Sequence, residues 1–337
     1  IADDATIHTP KSDYEKAAAY ADKALAALQQ QNEEESKNYS TKDVKVSTGL
    51  ASGLASYGTP NVYLIYDEFK TTSNTSFKLS VFDELYTQGN SRESILELQI
   101  SSANGTENNM VNEFYTYNTN TRLSIDAGAY DNAFKKDGVD NVNKTHDIRT
   151  WVNANNRLVT SMPTSETHTV EKLQALYCVK YASPQVFADL QNNEMACMYA
   201  SNNRRNFIIY RMADMMLIKA EALACIDKLD KKTTNKEHIK ALVNALHRRS
   251  FYPINIGSEK ISEAVLTSPR EDLKTAHVAD VDGNIDALQM VMNERLIEFI
   301  GEGKRWFDLV RYAERNAGDV SGGGNDEREP GVNDGAV

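Results

Sequence analysis

Apolar residues recur at three- and four-residue steps in several stretches of the chain, and each such stretch predicts an amphipathic helix. Over 12–31, Tyr14, Ala17, Tyr20, Ala21, Ala24 and Leu28 form one face, with Ser12 or Asp13 placed to cap it. A second helix is predicted over 207–229 and a third over 236–250, the latter turning Ile239, Leu242, Val243 and Leu246 inward. Nearer the C-terminus Leu288, Met292, Leu296 and Phe299 make another face, which Gly301 and Gly303 interrupt before Trp306, Phe307, Val310 and Ala313 restart the period. Two helices therefore meet at a corner, with Trp306 expected to face the core. Just upstream, DVDGNID at 280–286 reads as a turn that ends in an Asp cap.

Between the helical parts, residues 39–205 lose this period and are rich in Asn, Ser, Thr, Gly and Tyr. VYLIYDEF at 62–69 and SILELQI at 94–100 read equally well as short strands or helix edges. The region also sets aromatic rings beside amides, in NEFYTYNTNTR at 112–122, AYDNAF at 129–134 and RTWVNANNR at 149–157. A sugar ring presents CH groups to an aromatic face and hydroxyls to flanking polar groups, so this pairing suits carbohydrate. Tyr115, Tyr117, Tyr130 and Trp151 are the candidate platforms, and Asn153, Asn155 and Asn156 the candidate hydroxyl partners. Each ring alone also fits a half-buried packing anchor. Residues 317–337 are Gly-rich, acidic and free of aromatics, which predicts a flexible tail.

Charge narrows the function classes. With 48 acidic against 37 basic residues the chain carries a formal charge of -11, and it has no isolated basic run, which argues against nucleic acid and anionic membrane surfaces. No stretch approaches the twenty or so apolar residues of a bilayer span. The 337 residues, 41% of them hydrophobic, are enough for a large core in one big domain or two. Cys178, Cys197 and Cys225 lack the spacing of a zinc site or disulfide framework; Cys225 reads as a buried thiol, and a Cys178–Cys197 bond is left open. Asp280, Asp282 and Asn284 start like a calcium loop that fails at Ile285 and Val291, and the six histidines are scattered. His247, near a helix end, is expected to complement carbonyls. No metal and no cofactor is therefore expected.

The densest chemistry lies in NERLIEFIGEGKRWFDLVRY at 293–312. Glu294, Glu298 and Glu302 are spaced four apart, and Arg295, Arg305 and Arg311 stand close enough to neutralise them. Glycosidase pairs keep one carboxyl protonated by apolar burial, whereas acids beside arginines stay ionised, so a helix brace is the expected role.

That stretch resembles the closing motif of the SusD/RagB family, E-R-x-x-E-F-x-x-E-G-x-R-W-F-D-L-x-R. Glu294, Arg295, Glu298, Phe299, Glu302, Gly303, Arg305, Trp306, Phe307, Asp308, Leu309 and Arg311 all fit it. IIYRMADMMLIKAEALA at 208–224 resembles the family's R-x-A-D-x-x-L-x-x-A-E-A helix at Arg211, Ala213, Asp214, Leu217, Ala220, Glu221 and Ala222. SRESILELQIS at 91–101 and HDIRT at 146–150 echo two further family stretches in the same order. The resemblance implies a mainly α, SusD-like fold over 1–316. Helices at 12–31 and 207–250 would be tetratricopeptide-like, 39–205 loop-rich and ligand-facing, and 286–316 the motif helices. It also implies an outer-membrane, lipid-anchored protein of Bacteroidetes that captures an oligosaccharide or polysaccharide on the extracellular face. A SusC-like TonB-dependent transporter would be the partner, and no bond would be broken. Peptide binding, as in the RagB branch, and a ligand-free tetratricopeptide scaffold are the alternatives. Family members usually begin with a signal, an anchoring Cys and several helical hairpins, a part expected to be missing from a chain that starts at Ile1.

Overall fold

The computed structural model describes residues 10–38, 48–51, 53–65, 70–71, 76–78, 85–86, 89–100, 108–114, 123–126, 133, 149, 154–155, 175–178, 180–181, 184–189, 194–199, 206–250 and 285–317. In chain order these form helix α1 (Pro10–Asn38), strands β1 (Thr48–Ala51), β2 (Val62–Ile65), β3 (Lys70–Thr71), β4 (Ser76–Lys78) and β5 (Ser94–Leu98), and the short helix α2 (Asn109–Phe114). Strands β6 (Ser124–Asp126), β7 (Ala154–Asn155), β8 (Ala175–Cys178), β9 (Pro184–Asp189), β10 (Glu194–Tyr199) and β11 (Phe207–Arg211) follow. The chain then turns helical in α3 (Met212–Asp230), α4 (Lys236–Ser250), α5 (Ala287–Glu298) and α6 (Arg305–Ala317). Helix predominates among the described residues, as the sequence pattern predicts.

Helix α1 lies antiparallel along α3. Lys11 Nζ meets the Asp230 carboxylate at 2.7 and 2.8 Å, and Lys219 Nζ meets Asp22 at 2.5 and 2.6 Å, so two ion pairs bracket the packed stretch. Pro10 opens α1, where its missing N–H costs nothing, so Ser12 and Asp13 fall within the first turn instead of capping it. The buried face is Ala18, Ala21, Leu25 and Leu28, with Tyr14 packed against the core; Tyr20, expected inward, is 66% exposed. Helices α3 and α4 form an antiparallel hairpin whose turn is closed by Asp227, which accepts from Asn235 N–H and Nδ2 at 2.8 Å each. Ile239, Leu242, Val243 and Leu246 of α4 are wholly buried, as their spacing predicts. Helix α5 packs on both α3 and α4 and is buried on most of its circumference. Asp286 caps it by accepting from Leu288 N–H at 3.1 Å.

Among the described residues of 39–205, extended structure predominates. β5 and β11 form an antiparallel pair with Phe207 opposite Leu98 and Tyr210 opposite Leu96. β1 pairs with β2, the order β10-β9-β4-β3 makes a four-stranded sheet, and β6-β8-β7 a three-stranded one. The segments at 62–65 and 94–98 are thus strands. The predicted helix at 207–229 is shortened from its front, because 207–211 pairs with β5 and the helix begins at Met212. Met212 N–H donates to Glu93 O at 2.8 Å, which joins the β5 entry to the first turn of α3.

Helix α6 turns the other way round from its apolar pattern. Trp306 is 71% exposed and Phe307 61%, while Asp308 is fully buried. No described helix is long and apolar enough to cross a membrane.

Candidate functional site

Each rung of the Glu294, Glu298 and Glu302 ladder reaches a buried cation from far away in sequence. Glu294 accepts from Arg149 Nη1 at 2.5 Å, and its other oxygen lies 3.6 Å from His247 Nδ1. Glu298 accepts from Arg149 Nη1 at 2.9 Å, from Arg211 Nη1 at 2.6 Å and from Arg249 Nη2. Glu302 accepts from Arg211 Nε at 3.1 Å, Arg211 Nη2 at 2.8 Å and Lys180 Nζ at 2.5 Å, and Tyr86 OH donates to it at 3.3 Å. Arg249 also clasps Glu93 at 2.5 and 2.6 Å. Four acids, Glu93, Glu294, Glu298 and Glu302, thus face four bases, Arg149, Lys180, Arg211 and Arg249, all of them buried. Beside them Lys304 Nζ binds both oxygens of Asp214 at 2.5 Å.

The local backbone explains the geometry. Glu294 and Glu298 are one turn apart on α5, but Glu302 lies beyond the helix end. Gly301 and Gly303 adopt φ of 75° and 72°, a left-handed region that glycine enters without a Cβ clash, and this tight corner places Glu302 beside the cations that Glu298 engages. The backbone carbonyl of Glu298, left open at the end of α5, accepts from Lys180 Nζ at 2.7 Å and Arg211 Nη2 at 3.1 Å. Aromatic faces complete the enclosure: Phe299 lies 5.0 Å from Arg211 Cζ and 4.5 Å from Lys304 Nζ, and Tyr86 lies 5.0 Å from Lys180 Nζ.

Electrostatics decide the chemistry. Burial pushes Glu294 upward, but Arg149 and His247 outweigh it and hold the carboxyl at about 2. Glu298 is likewise held at about 2, its burial overcome by Arg249, Arg211 and Arg149. Glu302 sits well below the usual range because Arg211, Lys180 and Lys304 overcome its burial. Burial lowers Lys180 despite Glu302. Permanently ionised, hydrogen-bonded and sealed from solvent, these acids can neither deliver a proton near neutrality nor touch a substrate. The ladder is a brace, as expected, but its partners are not: Arg295 and Arg311 bind Asp308 and Glu221 instead, and Arg305 binds none of the rungs. His247, expected at carbonyls, faces Glu294.

The brace gathers the sequence motifs into one place. Glu93 comes from SRESILELQIS, Arg149 from HDIRT, Arg211 and Asp214 from the start of α3, and the three glutamates from the closing motif. Lys180 and Arg249 were missed by sequence reasoning, since no motif marks them. Trp306, expected in the core, is a surface residue because its helix turns Asp308 inward to Arg295.

Of the sugar-binding candidates, Tyr115, Tyr117, Tyr130, Trp151, Asn153 and Asn156 lie outside the described residues, and Asn155 is described only as part of β7. Cys178 is a free, fully buried thiol, which burial pushes up to about 11; Cys225 is also free and buried. Among the described residues no group of three His, Cys, Asp or Glu side chains is placed to hold a metal, and the 280–284 stretch lies outside them.

A family model described as the SusD family matches residues 29–330. A SusD-like protein of Formosa agariphila is 32% identical over 106 residues, a match covering 32% of this chain and 17% of that protein. The chain thus spans under a fifth of the length of the curated relative it matches. A crystal structure of a SusD homologue from Bacteroides thetaiotaomicron overlaps 50% of this chain and 30% of its own, with a TM-score of 0.29 and 20% identity, too distant to carry anything further.

Proposed function

The chain belongs to the SusD family, and from that premise we propose that it is a nutrient-binding protein of the cell surface, one that captures a glycan and passes it to a transporter without chemical change. In this reading the protein is held by an N-terminal lipid on the extracellular face of the outer membrane of a Bacteroidetes cell, and its partner is a SusC-like TonB-dependent transporter. The observation that carries the non-catalytic part is the use made of the motif acids: Glu294, Glu298 and Glu302 are each consumed by buried cations. What remains for the ligand is stacking and hydroxyl recognition. The ring-and-amide segments suit that task, with Tyr115, Tyr117, Tyr130 and Trp151 as platforms and Asn153, Asn155 and Asn156 as partners.

Calorimetric titration of glycans selected on a microarray, with wild type and the Trp151→Ala and Tyr130→Ala variants, tests the reading. A loss of about fivefold or more in sugar affinity is expected, since each stacked ring contributes about 1 kcal/mol or more. Unchanged affinity in both variants removes these platforms. Binding of extended peptides with no binding of glycans replaces the glycan reading with a peptide one.

A further inference from the structure

A second charged cluster lies at the α5–α6 corner, and among the described residues its charges are not balanced. Arg295, Arg305, Arg311 and Arg315 share only two carboxylates among the described residues, Asp308 and Glu221. Arg295 binds Asp308 Oδ1 through Nε at 2.9 Å and Nη2 at 2.7 Å. Arg311 spans both acids, with Nη2 at 2.6 Å from Asp308 Oδ1 and Nε at 3.0 Å from Glu221 Oε1, and Arg315 Nη1 binds the same Glu221 oxygen at 2.7 Å. Among the described residues, four guanidinium groups thus face two carboxylates.

The hydrogen-bond inventory carries the same deficit. Among the described residues Arg295 Nη1, Arg305 Nη1 and Arg315 Nε and Nη2 have no hydrogen-bond partner, although Arg295 is only 4% exposed. A buried donor left without an acceptor is destabilising, more so when it is charged. One buried acceptor, Asp308 Oδ2, also lacks a partner among the described residues. Arg305 is half-buried and in no ion pair among the described residues, and an anion that reached its Nη1 would supply the acceptor that atom lacks. Burial lowers its pKa, Asp308 opposes that, and the neighbouring Arg295 adds to it, which places two like charges close together. Arg311, 40% exposed, opens the cluster to solvent.

We propose that this corner binds an oxyanion, a carboxylate or sulfate ester carried on a hydroxyl-bearing ligand, with Arg305 as the principal anion contact. Guanidinium forks match both oxyanions in shape and charge. Asp308 is fully buried and does not meet the ligand; it holds Arg295 and Arg311 in place, so that either anionic group on a sugar ring would be met by the arginines alone. Phe307 sits one turn before Arg311 on the outer surface of α6 and gives such a ring an apolar flank. The sugar half of this inference rests on the glycan-binding function proposed above, whereas the oxyanion half does not.

The test is calorimetry at low ionic strength on wild type and Arg305→Gln with four probes: a neutral oligosaccharide, a uronic-acid oligosaccharide of equal length, a sulfated form of the neutral one, and inorganic sulfate. Arg305 holds no ion pair among the described residues, so the variant is expected to keep the wild-type circular dichroism and Tm, and this is measured first. At least tenfold tighter binding of the uronate or sulfated probe than of the neutral one, erased in Arg305→Gln, is the expected result; which probe is favoured tells carboxylate from sulfate ester. Equal affinity for neutral and charged probes, unchanged in Arg305→Gln, overturns the inference and leaves the glycan reading standing. Binding of inorganic sulfate that Arg305→Gln abolishes, with no oligosaccharide bound, upholds the oxyanion site and removes the glycan reading.

Discussion

Replacing Glu298 with glutamine removes one negative charge from the side chain that three arginines share and barely changes its shape. In the native protein Glu298 receives Arg149, Arg211 and Arg249 at once, at no more than 1% side-chain exposure for any of the four. The variant orphans none of them, because Arg149 keeps Glu294, Arg211 keeps Glu302 and Arg249 keeps Glu93. It does leave four buried cations facing three acids. Breaking a buried pair from one side costs about 3–5 kcal/mol, and the surviving partners place the expected loss near the lower end, about 3 kcal/mol. Against a total stability of about 5–15 kcal/mol that is a large fraction. With a urea m-value of about 3 kcal/mol/M, the midpoint followed by helical circular dichroism falls by about 1 M. Glu314→Gln, on the exposed side of α6, serves as the control and moves the midpoint by less than about 0.2 M. If Glu298→Gln behaves like that control, the cluster does not brace the fold and the argument against a functional role for these acids fails with it.

Three other outcomes follow from the same geometry. Trp306→Ala changes stability by no more than about 0.5 kcal/mol in urea titration, since the ring is exposed; a loss of 3 kcal/mol or more would mean it is buried after all. Glu294 and Glu298 are held at about 2 against an unfolded value of 4.5, so their contribution is complete above pH 4.5 and drains away as pH falls toward 2. Asp214, whose pKa burial raises despite Lys304, acts weakly in the opposite sense. Urea midpoints should therefore be flat from pH 7 to 5 and drop steeply between 4 and 2, and a flat profile to pH 2 contradicts the assigned ion pairs. In a Cys197→Ser background, Cys178 and Cys225 resist Ellman's reagent in native buffer at pH 8 and react together on denaturation; rapid native labelling would contradict their burial.

Apolar periodicity located the helices well where the interior is apolar. Ile239, Leu242, Val243 and Leu246 point inward because α4 packs against hydrocarbon. The same rule put α6 the wrong way round, because the interior there is ionic: Asp308 is turned in to meet Arg295 and Arg311, and the aromatic pair is left outside. Charge spacing predicted a brace but supplied nearby arginines as partners. The true partners of Glu298 and Glu302, which are Arg149, Lys180, Arg211 and Arg249, are separated from them by 49 to 149 residues, beyond what spacing on one helix can reveal. Glu93, Arg149 and Arg211 lie in three separate motif-like stretches, and no spacing joins them. The front of the second predicted helix was lost to β5, because Phe207 to Arg211 fit a strand as well as a helix and the pairing partner lies more than a hundred residues upstream.

The buried cluster also orders events during synthesis. Arg149, Lys180 and Arg211 emerge from the ribosome long before Glu294, Glu298 and Glu302, so for that interval three cations destined for the interior have no counterions from the closing motif. A charge that cannot be neutralised stays in water, and the helices around it cannot close. Final consolidation of this part of the protein therefore waits for the stretch at 294–302, which makes the last-made motif the latch on a chain that must stay loosely assembled until then.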